Sequence, residues 1–239
     1  MNATLSPSAA AGASFSTLGL PAATLANLDQ LGYTAMTAIQ AASLPLALAG
    51  KDLIAQASTG SGKTVAFGIP LVERLDPALW QAQALVLCPT RELAEQVTQE
   101  IRRLARAVGN VKVVTLCGGV ALRGQTQSLE HGAHVVVGTP GRILDHLERG
   151  SLQLQAVKTL VLDEADRMLD MGFFDDIAKL VRQCPKDRQT LLFSATYPDG
   201  IPKLAAQFMR EPQNVKVQAQ HDAGKIRQIF YQVNDSERL

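Results

Sequence analysis

The sequence is short of cysteine, of excess charge and of long apolar runs. Its 3 cysteines, Cys88, Cys117 and Cys184, lie far apart and form no Cys-x-x-Cys pair. That spacing argues against a disulfide framework or a cysteine zinc site, and it favours a reducing compartment. Lysine and arginine total 23 against 22 acidic residues, which gives a formal net charge of +1. Bulk charge therefore gives no indication of a nucleic-acid partner, and such an interaction has to come from local groups.

The sequence shows neither a membrane-spanning segment nor a secretory signal. No apolar run approaches the roughly 18 residues that a membrane span needs. Residues 1–14 lack the basic flank and the long apolar stretch of a signal peptide, and we interpret them as a flexible lead-in. These absences predict a cytoplasmic protein without a membrane partner.

The composition is that of a globular protein, with 46% hydrophobic and 19% charged residues, and it excludes wholesale disorder. Short runs rich in β-branched residues recur at intervals that leave room for a helix, and amphipathic segments such as 92–107 fill those intervals. This alternation predicts an α/β fold, with a mostly parallel sheet covered by helices on both faces, as one domain over 15–220. The predicted strands are 52–56, 84–88, 112–116, 134–137, 159–162, 189–193 and 215–217.

A phosphate-binding pattern follows the first run. The P-loop pattern is Gly, four residues and Gly-Lys-Ser/Thr; Ala57 takes the first glycine position and the rest fits. Gly60 and Gly62 permit the positive φ angles that turn backbone N–H groups toward an anion. Lys63 would reach the β- and γ-phosphates of a nucleoside triphosphate, and Thr64 would offer its hydroxyl to Mg²⁺. The alternative is a flexible Gly/Ser loop with a chance lysine. The predicted nucleotide-binding segment is Ala57, Ser58, Thr59, Gly60, Ser61, Gly62, Lys63 and Thr64.

An acidic pair directly after the run 159–162 extends this pattern. Asp163 is placed to hold Mg²⁺, and Glu164 is placed to orient and deprotonate an attacking water. An acidic helix N-terminus would explain the same residues, since Asp and Glu favour first turns. Combined with the P-loop, the pair indicates a core that hydrolyses nucleoside triphosphates.

The stretch Asp-Glu-Ala-Asp at 163–166 is the motif after which the DEAD-box RNA helicases are named, and the chain resembles that family over nearly its whole length. The resemblance implies a RecA-like domain and RNA-stimulated ATP hydrolysis that is coupled to local unwinding or remodelling of RNA. Stretches such as 85–94 and 160–173 are further similar to bacterial members that act on large-subunit ribosomal RNA. The other family-like motifs lie at 32–40, 89–94, 118–119, 139–142, 167–173 and 194–196.

Residues 15–40 resemble the segment with which this family recognises adenine. The resemblance implies that Gln40 forms a bidentate hydrogen-bond pair with the base, which selects ATP, while Tyr33 stacks on it and Phe15 is the upstream aromatic residue. Read without the resemblance, Gln40 is only a polar residue on a helix.

This segment departs from the family pattern in three places. Met36 and Ala38 stand where the family commonly has prolines, and Ala35 lacks a side chain that is frequent near the base. We therefore expect a less rigid loop and a lower nucleotide affinity.

The resemblance also implies residues that couple hydrolysis to RNA. Ser194 and Thr196 would bond the carboxylate of Asp166, although Thr196 also suits a helix N-cap. Glycines, helix N-termini and arginines just after successive strands would contact RNA phosphates without reading bases, and ordinary turn chemistry is the alternative. The predicted RNA-binding residues are Pro89, Thr90, Arg91, Gly118, Gly119, Thr139, Pro140, Gly141 and Arg142.

The resemblance covers the first of the family's two RecA-like domains. No Gly-Arg-x-Gly-Arg stretch is present, so the arginine fingers of a second domain are missing, and residues 221–239 resemble the linker toward that domain. We expect a first helicase domain that partners a second domain of the same parent chain and is nearly inactive alone. The competing hypothesis is a non-catalytic ATP-binding domain that docks RNA or a protein partner.

Overall fold

A computed structural model of the protein describes residues 12–217. The predicted lead-in falls mostly outside this range, and the predicted linker at 221–239 falls wholly outside it. Seven strands are present: β1 Leu53–Gln56, β2 Ala84–Leu87, β3 Val113–Leu116, β4 Val135–Gly138, β5 Thr159–Leu162, β6 Gln189–Ser194 and β7 Gln213–Lys216. The α-helices are α1 Ala22–Gln30, α2 Ala38–Leu48, α3 Lys63–Glu73, α4 Arg91–Leu104, α5 Leu122–Leu129, α6 Pro140–Glu148, α7 Ala165–Asp170, α8 Phe174–Gln183 and α9 Gly200–Phe208.

The strands form one sheet in the order β3-β4-β2-β5-β6-β1-β7, and every pairing is parallel. The predicted fold class is confirmed, and each predicted strand lies within two residues of an observed one. Parallel strands need a crossover connection between them, which the intervening helices supply.

The inner strands β2 and β4 are apolar throughout because the sheet is covered on both faces. In β2, Ala84 and Val86 pack into one core cluster, while Leu85 and Leu87 pack into the other. Successive side chains of a strand point to opposite faces, so two buried faces require an apolar residue at every position.

Helix α4 shows how an amphipathic segment covers that sheet. The sequence predicted a helix over 92–107; α4 ends at Leu104 and a 3₁₀ turn, Ala105–Ala107, completes it. Val97, Ile101 and Leu104 are buried on one side of the helix. Across residues 12–217, no helix combines the length and apolarity that a membrane crossing requires.

A candidate nucleotide site and nucleic-acid face on one edge of the sheet

The strand order divides the carboxyl edge of the sheet into two halves. The loops after β1, β5 and β6 contain 57–64, 163–166 and 194–196, and we call this the nucleotide half. The loops after β2, β3 and β4 contain 88–91, 117–121 and 139–142, and we call this the nucleic-acid half. Along the chain the three loops of the nucleic-acid half lie between the first and the last two loops of the nucleotide half. In the sheet each set occupies three adjacent strands, and the two sets meet where β2 pairs with β5.

The P-loop takes the conformation that its glycines predict. Gly60 and Gly62 have φ angles of 79° and 93°, and α3 begins at Lys63. Ala57 has no positive φ, and its N–H donates to Ser194 O at 3.0 Å. A side chain is therefore tolerated at the position where the P-loop pattern has its first glycine.

Lys63 and Asp163 are both buried in the nucleotide half. The Lys63 side chain is 7% exposed, and within residues 12–217 its Nζ has no hydrogen-bond partner. A buried ammonium without a partner is costly, so this group fits an anionic ligand. Burial raises the pKa of Asp163 to about 6, although the charge of Lys63 acts to lower it, and Glu164 adds like-charge repulsion. A bound cation would relieve that cost, so Asp163 and the Thr64 hydroxyl fit an Mg²⁺ ion.

Glu164 has a strained backbone. Its φ and ψ angles are 51° and 50°, a left-handed conformation that is uncommon for residues other than glycine. Its N–H donates to Asp163 Oδ1 at 3.0 Å, and Arg167 Nη1 lies 3.4 Å from its Oε2. Strained residues concentrate at functional sites, where the surrounding structure enforces them.

Asp166 is bonded to the loop after β6. Its Oδ2 accepts hydrogen bonds from the N–H and the hydroxyl of Thr196, both at 2.8 Å, and its own N–H donates to Ser194 Oγ at 3.3 Å. Burial acts to raise the pKa of Asp166, but the hydrogen bonds from Thr196 and Ser194 outweigh it and hold the pKa below its usual range. The N-cap residue of helix α9 is Asp199 and not Thr196. The Thr196 hydroxyl instead donates its hydrogen bond to Asp166.

Gln40 lies against the P-loop. It is 2% exposed, its Oε1 accepts the Thr37 N–H at 2.9 Å, and its Nε2 donates to Gly62 O at 3.2 Å. In this conformation both ends of the amide are bonded within the chain. Each end of the amide keeps a second hydrogen-bonding position, which a bidentate pair with adenine would use, and this role of Gln40 stays a prediction.

The two aromatic residues of this segment are held by the protein core. Phe15 is 3% exposed within a core cluster, so any support it gives the nucleotide site acts through packing. The Tyr33 hydroxyl donates to the carboxylate of Glu100 on α4. Burial and Glu100 raise the pKa of Tyr33 to about 12. Stacking of Tyr33 on a base also stays a prediction.

The backbone of Met36 makes two hydrogen bonds, and a proline at this position could make only one of them. Its N–H donates to Ala13 O and its carbonyl accepts the Gly12 N–H, both at 2.9 Å, and its side chain is 4% exposed. Proline has no N–H, so it cannot make the first of these bonds. The loop thus has a restraint that the sequence does not reveal, and this restraint opposes the mobility expected there.

Two glycines of the nucleic-acid half have no evident role in the fold. Gly118 and Gly141 have no positive φ, and a Cβ at either one would meet nothing within 4 Å. Neither backbone strain nor crowding therefore requires glycine at these positions. Gly119 differs, since its φ is 75°. The open space beside Gly118 and Gly141 leaves room for a ligand to approach the backbone.

The other predicted RNA-binding residues begin helices on this edge. Thr90 caps α4 by accepting the Leu93 N–H at 3.3 Å, and Arg91 pairs with Glu95 at 2.7 Å in an exposed position. Pro89 is buried, so its effect is on the path of the turn. Thr139 precedes α6, and Pro140 and Gly141 begin it.

Arg142 is partly committed to the fold. Its Nη1 donates to Val120 O at 2.9 Å and to Gln125 Oε1 at 3.1 Å, and its side chain is 14% exposed. Gln125 and His146, which bonds the same oxygen, were missed by sequence reasoning. A signal was present, because Gln125 lies four residues before buried Leu129, on the buried side of α5.

A parallel sheet with a P-loop after β1 and an acidic pair after a nearby strand defines a RecA-like P-loop core. The family model for the DEAD/DEAH box helicases matches residues 37–204. The chain belongs to this family.

Similar proteins span longer chains. ATP-dependent RNA helicase DbpA of Escherichia coli (strain K12) is 53% identical over 94% of this chain and 50% of its own. DEAD-box ATP-dependent RNA helicase CshA of Geobacillus kaustophilus is 46% identical over 94% of this chain and 48% of its own. The crystal structure of a DEAD box protein from Methanococcus jannaschii matches with a TM-score of 0.83 and 43% identity, over 87% of this chain and 57% of that one. The chain therefore spans about half the length of these relatives.

Proposed function

We propose that this chain is the first RecA-like domain of an ATP-dependent RNA helicase. The observation that carries the proposal is the meeting of the two halves at the β2–β5 pair. Asp163, in the nucleotide half, donates its N–H to Leu87 O at the end of β2, at 3.0 Å. Because β2 leads directly into residues 88–91, a change at the nucleotide has a short bonded path to the nucleic-acid half.

The nucleotide half has the groups that phosphoryl transfer needs. Lys63 and the N–H groups of the P-loop bind the phosphates of ATP, and Glu164 holds and deprotonates the attacking water. Thr64 and Asp163 would hold Mg²⁺, which neutralises charge on the phosphates when it is bound. Asp166 links this chemistry to Thr196 and Ser194 at the end of β6.

The nucleic-acid half contacts the sugar-phosphate backbone of RNA. Gly118, Gly119, Gly141 and the start of α6 offer N–H groups to phosphate oxygens, and Arg91 and Arg142 add charge. Thr90, Thr139 and the two prolines shape these turns. Contacts of this kind read no bases, and contacts to the 2′-hydroxyl favour RNA over DNA.

For the parent protein we propose a second RecA-like domain and a cytoplasmic location. The second domain would complete the active site with arginine fingers, which raise rates by about 10³–10⁵ in related phosphoryl-transfer sites. We further propose ribosomal RNA of the large subunit as the target, on the sequence resemblance alone. Stimulation of ATP hydrolysis by a large-subunit ribosomal RNA fragment, compared with an unrelated RNA of equal length, tests that target.

The central test is the ATPase rate of the parent protein and of this chain, each with and without RNA. We expect turnover only from the parent and only with RNA, while this chain binds ADP and RNA weakly. A parent protein that is inactive with every RNA and DNA would instead support the non-catalytic docking domain. Rapid RNA-stimulated hydrolysis by this chain alone would contradict the need for a second domain.

Alanine at two glycines tests the nucleic-acid half separately. Gly118→Ala and Gly141→Ala should not lower the thermal midpoint, since the Cβ meets nothing within 4 Å and neither residue has a positive φ, but they should weaken RNA binding. Gly138→Ala is a contrasting control, because its Cβ would clash with the carbonyl oxygen of Leu116 and should destabilise the fold. Unchanged RNA affinity in the first two variants would argue against backbone contacts there.

A further inference from the structure

A buried hydrogen-bond network lies beneath the nucleic-acid half. At its centre is Gln125 of α5, which is 8% exposed. Its Nε2 donates to Cys117 O at 2.8 Å, and its Oε1 lies 3.1 Å from both Arg142 Nη1 and His146 Nε2. One amide thus joins the end of β3 to two residues of α6.

The protonation of the network follows from Arg142. A guanidinium is only a donor, so the amide oxygen of Gln125 must face it, and His146 Nε2 must then also donate to that oxygen. The Ser151 hydroxyl lies 2.8 Å from His146 Nδ1 and stands 3.1 Å from the His146 carbonyl oxygen. Burial and the charge of Arg142 lower the pKa of His146, which is consistent with a neutral ring.

The network fixes two features that face the predicted RNA. The Arg142 guanidinium also donates to Val120 O, so Gln125 and Val120 together hold it across the loop 117–121. The bond from Gln125 to Cys117 O holds the start of the same loop. Loss of the Gln125 side chain would leave the carbonyl, the guanidinium and the imidazole without their shared partner.

We propose that Gln125 and His146 are positioning residues for RNA, which set the direction of Arg142 and the path of the loop 117–121. The proposal rests on the proposed function, since it concerns the same RNA site. Neither residue touches RNA, and neither lies in the nucleotide half. Their loss should therefore weaken RNA binding and leave nucleotide binding intact.

Fluorescence anisotropy with a labelled single-stranded oligouridine tests this on the 239-residue chain at low salt. Gln125→Ala should raise the Kd for RNA about tenfold, which corresponds to about 1.4 kcal/mol. If Arg142 loses its phosphate contact, the slope of log K against log salt should fall by about 0.7. Gln127→Ala, an exposed residue of the same helix, is the matched control and should change neither quantity.

A second pair of variants separates positioning from general damage. His146→Gln keeps an N–H donor for Gln125 and should retain RNA binding, whereas His146→Leu removes the donor and should resemble Gln125→Ala. ADP affinity should be unchanged in all of them.

Two results would overturn the proposal while leaving the proposed function standing. One is wild-type RNA affinity and salt slope in both Gln125→Ala and His146→Leu. The other is an equal loss of RNA and ADP binding in these variants, which would mark a purely structural role. Failure of the wild-type chain to bind RNA at any salt would instead refute the proposed function together with this inference.

Discussion

Proline substitutions at two nearby positions should have opposite effects on stability. Ala38 is the first residue of α2, and Thr37 before it has φ and ψ of −70° and 166°, an extended conformation that suits a residue preceding proline. Among the described residues the Ala38 N–H donates no hydrogen bond, as expected at the first helical position. Ala38→Pro should therefore stabilise the fold by about 0.4–1 kcal/mol, by restricting the unfolded chain.

Met36→Pro should act in the other direction. It removes the N–H that donates to Ala13 O, a bond worth about 0.5–1.5 kcal/mol. It also replaces a methionine side chain that is 4% exposed with a smaller ring, and burial of a methionine contributes about 1.5–3 kcal/mol. The two contributions set an upper range of about 2–4.5 kcal/mol for the loss. Met36→Leu keeps the N–H and nearly the same volume, so it should cost less than about 1.5 kcal/mol.

Urea unfolding of the three variants measures these differences directly. An ADP titration shows whether nucleotide affinity at residues 15–40 changes together with fold stability. We expect Met36→Pro to weaken ADP binding and Ala38→Pro to leave it unchanged or tighter. Equal stability of Met36→Pro and Met36→Leu would show that the Met36–Ala13 bond contributes nothing. A loss of more than about 1 kcal/mol in Ala38→Pro would refute the position assigned to Ala38 in α2.

Further substitutions test the nucleotide half. In the intact protein, Lys63→Ala and Glu164→Gln should both stop turnover, but only the first should weaken ADP binding substantially, and equal ADP affinity of Lys63→Ala and wild type would contradict the role given to Lys63. Thr196→Val removes a donor to the ionised Asp166 and should cost about 1.5–3 kcal/mol at neutral pH in urea unfolding. Because the folded pKa of Asp166 is lowered, that contribution is present above the ordinary aspartate pKa and is lost as pH falls through the folded value. Thr159→Val, at a buried hydroxyl without a partner in residues 12–217, should be neutral or stabilising at every pH.

Much of the fold could be predicted because it depends on local pattern. A strand buried on both faces, such as Ala84–Leu87, needs apolar residues at every position, so its letters alone identify it. The conformations of Gly60 and Gly62 follow in the same way from the chemistry of the P-loop. Strand order depends on long-range pairing, which no local pattern contains, so the division of the carboxyl edge into two halves came only from the structure.

The hidden parts of the site are polar contacts between distant segments. Nothing in the sequence shows that Gln40 bonds Gly62, that Met36 pairs with residues 12–13, or that His146 shares an acceptor with Arg142. Each contact joins residues whose partners are set by the packing of two elements. Side-chain type limits what such residues can bond, but only the fold decides which group they meet.

The left-handed conformation at position 164 favours glycine or asparagine for fold stability, whereas the proposed chemistry needs the carboxylate of Glu164. An L-residue other than glycine, asparagine or aspartate gives up roughly 1–2 kcal/mol there. A library of the intact protein randomised at this position and sorted only for thermal resistance should therefore enrich glycine and asparagine, and the enriched proteins should melt higher and lose ATP hydrolysis. A redesign of this domain guided by stability alone would replace Glu164 among its first changes, and would discard the residue to which we assign the attacking water.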